Sequence, residues 1–147
     1  MNMPANAYRE AHHRALEDPE GFGGERALAL HWERRWDRVL DASRAPFYRW
    51  FSGGRINTCY NALDRHIEQG RGEQAALIYD SPVTGTVARF SYRELRDRVA
   101  HFAGALAAQG VGRGDCVVIY MPMVPEAVVA MLACARMATS ASGTIGI

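Results

Sequence analysis

The feature that most constrains this fold is a change of periodicity at Arg71. Upstream of it, apolar residues recur at helical spacing. Downstream they fall into short runs broken by turns and a single strongly patterned helix. Residues 74–80 (QAALIYD) and 87–91 (VARFS) read as two strands joined by the polar turn 81–86, which predicts a hairpin. Ser91-Tyr92-Arg93-Glu94 is a capping box: the serine hydroxyl accepts from the N3 amide while the glutamate reaches back to the cap. The helix it opens carries Leu95, Val99, Phe102 and Leu106 on one face and stops at Gly110. Residues 112–115 (GRGD) then turn into 116–120 (CVVIY), a continuous apolar run of the kind buried on both faces. Residues 122–125 lead into a helix over 126–137. The order strand, strand, helix, strand, helix is the opening of an α/β sheet layer with at least one parallel crossover.

The first half predicts helices. Residues 8–17 form a short one, closed at Asp18-Pro19 because the residue before proline is pushed out of the α region. Within 25–40, Leu28, Leu30, Trp32, Trp36, Val39 and Leu40 are spaced for one broad helical face. Pro46 interrupts, Gly53-Gly54 marks a tight turn, and 57–69 is a helix with Asn57 as its N-cap and Gly70 as its left-handed stop.

Composition removes several classes of function. Hydrophobic residues make up 48% and charged residues 22% of the 147, with a net charge of +1, which describes a globular chain and not a disordered one. So balanced a charge gives no electrostatic reason to expect nucleic acid or an anionic membrane as partner. All 17 basic residues are arginine. With no lysine, the chain cannot form a Schiff base or a Walker-type phosphate loop. Cys59, Cys116 and Cys134 lie far apart without a CxxC pair, so a reducing compartment is expected and a thiolate zinc cluster is not. No apolar stretch is long enough to span a bilayer, and the first 22 residues read neither as a signal nor as a transit peptide. The expected location is the cytoplasm.

Candidate chemistry is sparse. His12-His13 and His31 have no carboxylate or cysteine at ligand spacing and read as solvated helical histidines. Asp64-Arg65-His66 would suit a catalytic dyad, but neighbouring helical residues point in different directions, which favours surface pairing. Trp32, Trp36, Phe47, Tyr48, Trp50 and Phe51 would suit a stacking platform, or more simply aromatic anchors for the N-terminal segment. Cys59, Cys116 and Cys134 read as small apolar residues at buried positions. Arg49 and Arg55 flank the aromatic patch, either solvated or paired with acids elsewhere.

The segments 18–22 (DPEGF), 36–40 (WDRVL), 50–54 (WFSGG), 57–66, 90–95 (FSYREL) and 120–136 (YMPMVPEAVVAMLACAR) together resemble the acetyl- and propionyl-CoA synthetases, which are adenylate-forming, AMP-binding acyl-CoA ligases. The resemblance implies an α/β chain: a helical N-terminal region over 1–72, the incomplete start of an adenylate-forming domain over 73–136, and a divergent, disordered tail over 137–147. It implies a parent acid–thiol ligase that activates acetate or propionate with ATP and Mg2+ and passes the acyl group from AMP to coenzyme A. The residues the family uses for that chemistry lie beyond the matched stretch. No catalytic, cofactor-binding or metal-binding residue is therefore assigned here, and no cofactor is expected for the fragment itself.

Two departures stand out. Gly23 replaces the aromatic that usually follows DPEGF, which is expected to loosen that packing site. After Arg136 the sequence loses the family pattern, which points to a frameshift, a recombination scar or early termination. In the tail, Ser142-Gly143-Thr144 resembles a phosphate loop, but Ile145 stands at the second threonine position and no lysine follows, so phosphate binding is not expected. A fragment of this kind is expected to be catalytically silent, and marginally stable or prone to aggregate because the apolar residues 117–119 and 128–132 lack cover. The alternative is a non-enzymatic module that docks on a full-length synthetase. A stand-alone small binding protein would need a pocket that no sequence feature announces.

Overall fold

A computed structural model describes residues 5–137, which divide between two compact units, Met1–Ile56 and Asn57–Ile147. In the first, helix α1 (Ala5–Glu17) is followed at once by α2 (Pro19–Ala27). Asp18 therefore does more than end α1. Its carboxylate accepts from the Gly21 amide at 2.8 Å, and Pro19 takes the first helical position, where its missing N–H costs nothing. Arg14 of α1 reaches Glu25 of α2 at 2.6 Å, and the guanidinium groups of Arg14 and Arg26 lie over the Phe22 ring at 5.6 and 5.2 Å.

The expected helix over 25–40 does not form. Helix α2 stops at buried Ala27, whose carbonyl accepts the indole N–H of Trp32 at 2.8 Å. Beyond it the chain becomes extended and enters β1 (Arg38–Asp41), which pairs antiparallel with β2 (Arg49–Ser52), placing Leu40 opposite Trp50 and Asp41 opposite Arg49. The helical spacing of the tryptophans is real, but tertiary packing uses it differently. Trp32 and Trp36 meet edge to face at 4.8 Å, and both lie against Phe51 at 5.3 and 5.1 Å. Aromatic and β-branched residues have weak helix propensity, so a cluster of three rings outweighs it. The same cluster holds Phe51 in a left-handed conformation (φ +53°) that a bulky residue rarely adopts.

Gly23 does not loosen its surroundings. A Cβ there would stand 2.7 Å from the six-membered ring of Trp50, which has taken the place of a side chain at 23. At the far end of β2, the Gly53-Gly54 turn closes with the Gly54 amide on the Phe51 carbonyl at 2.9 Å.

The second unit opens with a helix from residue 58, capped as expected: Asn57 Oδ1 accepts the Tyr60 amide at 3.0 Å, and the helical backbone breaks at Gly70, which is left-handed (φ +81°). Its winding is unexpected, with π turns at Tyr60–Asp64 and Ile67–Arg71. Strands β3 (Ala75–Ser81) and β4 (Thr86–Ser91) form the expected antiparallel hairpin, with a bulge between Ala75 and Leu77. The capping box is complete on both sides, Glu94 N to Ser91 Oγ at 3.2 Å and Ser91 N to Glu94 Oε2 at 2.8 Å, and opens α3 (Tyr92–Ala108). Helix α4 (Pro125–Met137) packs against α3.

Between these elements lies a core of Cys59, Leu63, Leu95, Val99, Ala103 and Ala133. Phe102 is not in it: the inward row of α3 runs 95, 99, 103, and Phe102 is turned aside with 37% of its surface exposed. The run 116–120 is also corrected. Its backbone belongs to neither two-stranded sheet, both of which are antiparallel, so no parallel crossover exists among the described residues. Cys116, Val118 and Tyr120 are exposed. A run buried on both faces needs neighbouring strands and covering helices, and none of the described elements supplies them. The tail resembling a phosphate loop lies outside the described residues.

Leu63→Ala is expected to destabilise the second unit by about 2–5 kcal/mol, since Leu63 is almost fully enclosed. Val83→Ala, in the solvent-exposed turn of the β3–β4 hairpin, is expected to stay within about 0.5 kcal/mol. Urea denaturation followed by circular dichroism measures both.

Candidate functional site

Polar groups converge at Arg136, in the last turn of α4. Its two terminal nitrogens donate to the two carboxylate oxygens of Asp64, each at 2.9 Å, a bidentate pair of the strongest kind. One of those nitrogens also approaches the Cys59 sulfur at 3.5 Å. The π turn explains how one guanidinium meets both: i→i+5 winding sets residues five apart, Cys59 and Asp64, on the same face. Burial pushes the Cys59 thiol up, and the neighbouring guanidinium offsets only part of this. Cys59 is consequently a protonated thiol, unsuited to nucleophilic attack.

The triplet Asp64-Arg65-His66 diverges. Asp64 goes to Arg136, and Arg65 donates to Asn61 Oδ1 at 3.0 Å. The Nδ1 of His66 lies 3.1 Å from Arg71 Nη1, with its ring against Tyr92 at 5.0 Å. A guanidinium has no acceptor, so His66 Nδ1 must be the unprotonated nitrogen. Partial burial, followed by the charges of Arg71 and Arg65, lowers the His66 pKa. No dyad is assembled here.

In the first unit, Tyr8 and His12 stack at 6.0 Å and His13 pairs with Glu17 at 3.2 Å, both on the exposed surface of α1. His31 sits in the exposed stretch after α2. No group of three or more His, Cys, Asp or Glu gathers among the described residues to hold a metal ion. Of the six aromatics that sequence groups together, Trp32, Trp36, Trp50 and Phe51 join, while Phe47 and Tyr48 stay exposed. Arg49 faces Asp41 across the ladder, and Arg55 pairs with Arg34 through backbone bonds, Arg55 N to Arg34 O at 2.8 Å.

Sequence reasoning missed the Arg136–Asp64 pair and a groove. The groove, of about 540 Å³, runs beside α3 and α4, with Phe102, Ala105, Met121 and Val129 as its apolar lining and Arg98, His101 and Glu126 as its polar lining. A signal was present in α4, where charge occurs only at Glu126 and Arg136. No helix among the described residues is long and apolar enough to cross a membrane.

Residues 8–62 match the family described as acetyl-coenzyme A synthetase N-terminus, and residues 63–141 match the AMP-binding enzyme family. The chain belongs to the AMP-binding enzymes. An uncharacterized Pseudomonas aeruginosa protein is 54% identical over 139 residues, covering 95% of this chain and 22% of the relative. Human acyl-CoA synthetase short-chain family member 3, mitochondrial, is 50% identical over 83% of the chain and 18% of its own length. Acetyl-coenzyme A synthetase of Cupriavidus metallidurans is 47% identical over 95% and 21% respectively. Among solved structures, acetoacetyl-CoA synthetase from Streptomyces lividans superposes with a TM-score of 0.75 at 32% identity, over 86% of this chain and 19% of that one. The chain thus spans about a fifth of the length of the relatives it matches.

Arg136→Met is expected to cost ~2 kcal/mol, between the surface and buried limits, because it leaves Asp64 enclosed without its counter-charge. Adding Asp64→Asn should cost less than the separate effects combined, and a double-mutant cycle by urea denaturation reads the coupling. Because the His66 pKa is lowered on folding, its contribution to stability is complete above about 6.5 and is lost as pH falls toward the folded-state value. His66→Asn is expected to flatten that part of the stability–pH curve.

Proposed function

We propose that this chain is the N-terminal portion of an ATP-dependent short-chain acyl-CoA synthetase, an acid–thiol ligase that activates acetate or propionate and delivers it to coenzyme A. The observation that carries the reading is the tandem order of the two family matches, 8–62 and then 63–141, on a chain that superposes on the corresponding fifth of a solved acyl-CoA synthetase. In this proposal ATP, Mg2+, coenzyme A and the carboxylic acid are substrates and cofactor of the longer enzyme. The proposal places their sites outside the described residues, a reading supported by a sequence without lysine and by the lack, among those residues, of an acid cluster able to hold a divalent cation. Their part is to present α3, α4 and the β3–β4 hairpin as a folded base. A reducing location such as the cytoplasm belongs to the same reading, supported by three cysteines of which none is in a disulfide.

The test is a chimera. Residues 8–141 are grafted in place of the matching segment of the Cupriavidus metallidurans enzyme, and carboxylate-dependent ATP–pyrophosphate exchange is measured with acetate and with propionate. Exchange within about tenfold of the parent is expected, whereas the 147-residue chain alone should show none above background. A chimera that folds and has no exchange overturns the proposal.

A further inference from the structure

The helix that opens the second unit carries two pairs of side chains five residues apart. Cys59 and Asp64 share a face at the first π turn, and His66 and Arg71 bracket the second. His66 Nδ1 accepts from Arg71 Nη1 at 3.1 Å, and Arg71 Nε donates to Gln74 Oε1 at 2.7 Å. Both members of the second pair also meet one ring of α3. The His66 and Tyr92 rings are 5.0 Å apart, and the Arg71 guanidinium stands 5.3 Å from the centre of the Tyr92 ring. These three side chains join the end of the helix, across the left-handed break at Gly70, to the first residue of α3. The backbone adds two bonds between the same parts, Tyr92 N to Gln74 O at 3.0 Å and Arg93 N to Gly72 O at 3.1 Å.

One proton reverses the contact at the centre of this cluster. Neutral imidazole accepts from a guanidinium, whereas the protonated ring donates from both nitrogens and sets a second cation against the first. Among the described residues, the groups that face the ring supply no negative charge. Arg71 and Arg65 face it from its own helix as cations, the Gln69 side chain hydrogen-bonds it, and α3 presents the Tyr92 phenol. The neighbouring acids are engaged elsewhere: Glu68 accepts from the Tyr60 hydroxyl at 2.6 Å, and Glu73 from Arg93 Nε at 2.8 Å. Partial burial and then the two arginines lower the His66 pKa, and Gln69 opposes them. We infer that His66 is an acid-released latch: once protonated it drives Arg71 off the Tyr92 ring, and residues 67–74 open locally. The core stays closed, because it is held by other contacts, the packing of Leu63, Val99 and Ala133 and the Asp64–Arg136 pair. No side chain between 67 and 74 is fully buried, so the opening sacrifices little apolar contact. The sign follows from the direction of the shift: the latch is shut above about 6.5 and is released as pH falls through the lower folded-state value.

Amide hydrogen exchange of the 147-residue chain, read by mass spectrometry between about pH 7.5 and pH 5 and corrected for the intrinsic pH dependence of exchange, tests the latch. Protection over 67–74 is expected to fall about tenfold across an acid step with its midpoint below about 6.5, while residues 95–103 in the inward row of α3 keep theirs. His66→Asn keeps an acceptor where Nδ1 stood and does not titrate, so its protection over 67–74 should be independent of pH. Arg71→Met removes the opposing cation; the segment should then be less protected at every pH, without the acid step. Protection over 67–74 that survives in acid overturns the inference, and so does an acid step that persists in His66→Asn. Loss over 95–103 at the same midpoint also overturns it, since that is unfolding of the whole unit. If Arg71→Met misfolds, His66→Asn decides the matter, and if the chain aggregates in acid the same peptides are read in the chimera described above.

Discussion

The second unit is organised around the reach of one side chain. Arg136 leaves the last turn of α4 and meets Asp64 with both ends of its guanidinium, and the i→i+5 winding of the opposing helix sets Cys59 on the same face as Asp64. Cys59 and Asp64 then form adjoining parts of one surface, the first dry and the second charged. The core beneath follows from this placement. Leu63 comes down between Cys59 and the inward row of α3, and Ala133, one turn before Arg136, closes the space from the α4 side. A guanidinium suits such a half-buried junction because it gives two parallel bonds at little cost in dehydration, which an ammonium cannot do.

What the sequence makes legible depends on how local its physics is. The capping box of α3, the β3–β4 hairpin, the Asn57 cap and the Gly70 stop each involve residues a few positions apart, and each appears where local chemistry puts it. The stretch 25–40 was misleading because its periodicity serves partners distant in sequence. Trp32 and Trp36 are spaced like one helical face, yet the ring they share is Phe51, and the indole of Trp32 ends α2 by capping Ala27. The run 116–120 failed for a related reason: composition signals that residues want to be buried, but burial also requires elements to lie on them.

The candidate site was legible mostly by elimination. Spacing alone indicated that Asp64 and His66 would separate, and their hydrogen bonds go to different residues. The Asp64–Arg136 pair, 72 residues apart, has no local sequence signal, and the groove has only the composition of α4. An absence of polar residues along α4 marks that face indirectly, as a helix with nowhere to put water.

The contact between Trp50 and Gly23 ties two distant positions into one volume. In this chain the indole of Trp50 occupies the space that a side chain at 23 would enter. Substitutions at the two sites are therefore epistatic. A larger residue at 23 can enter only if the Trp50 ring moves aside, so the position of that indole is set by the absence of a side chain at 23.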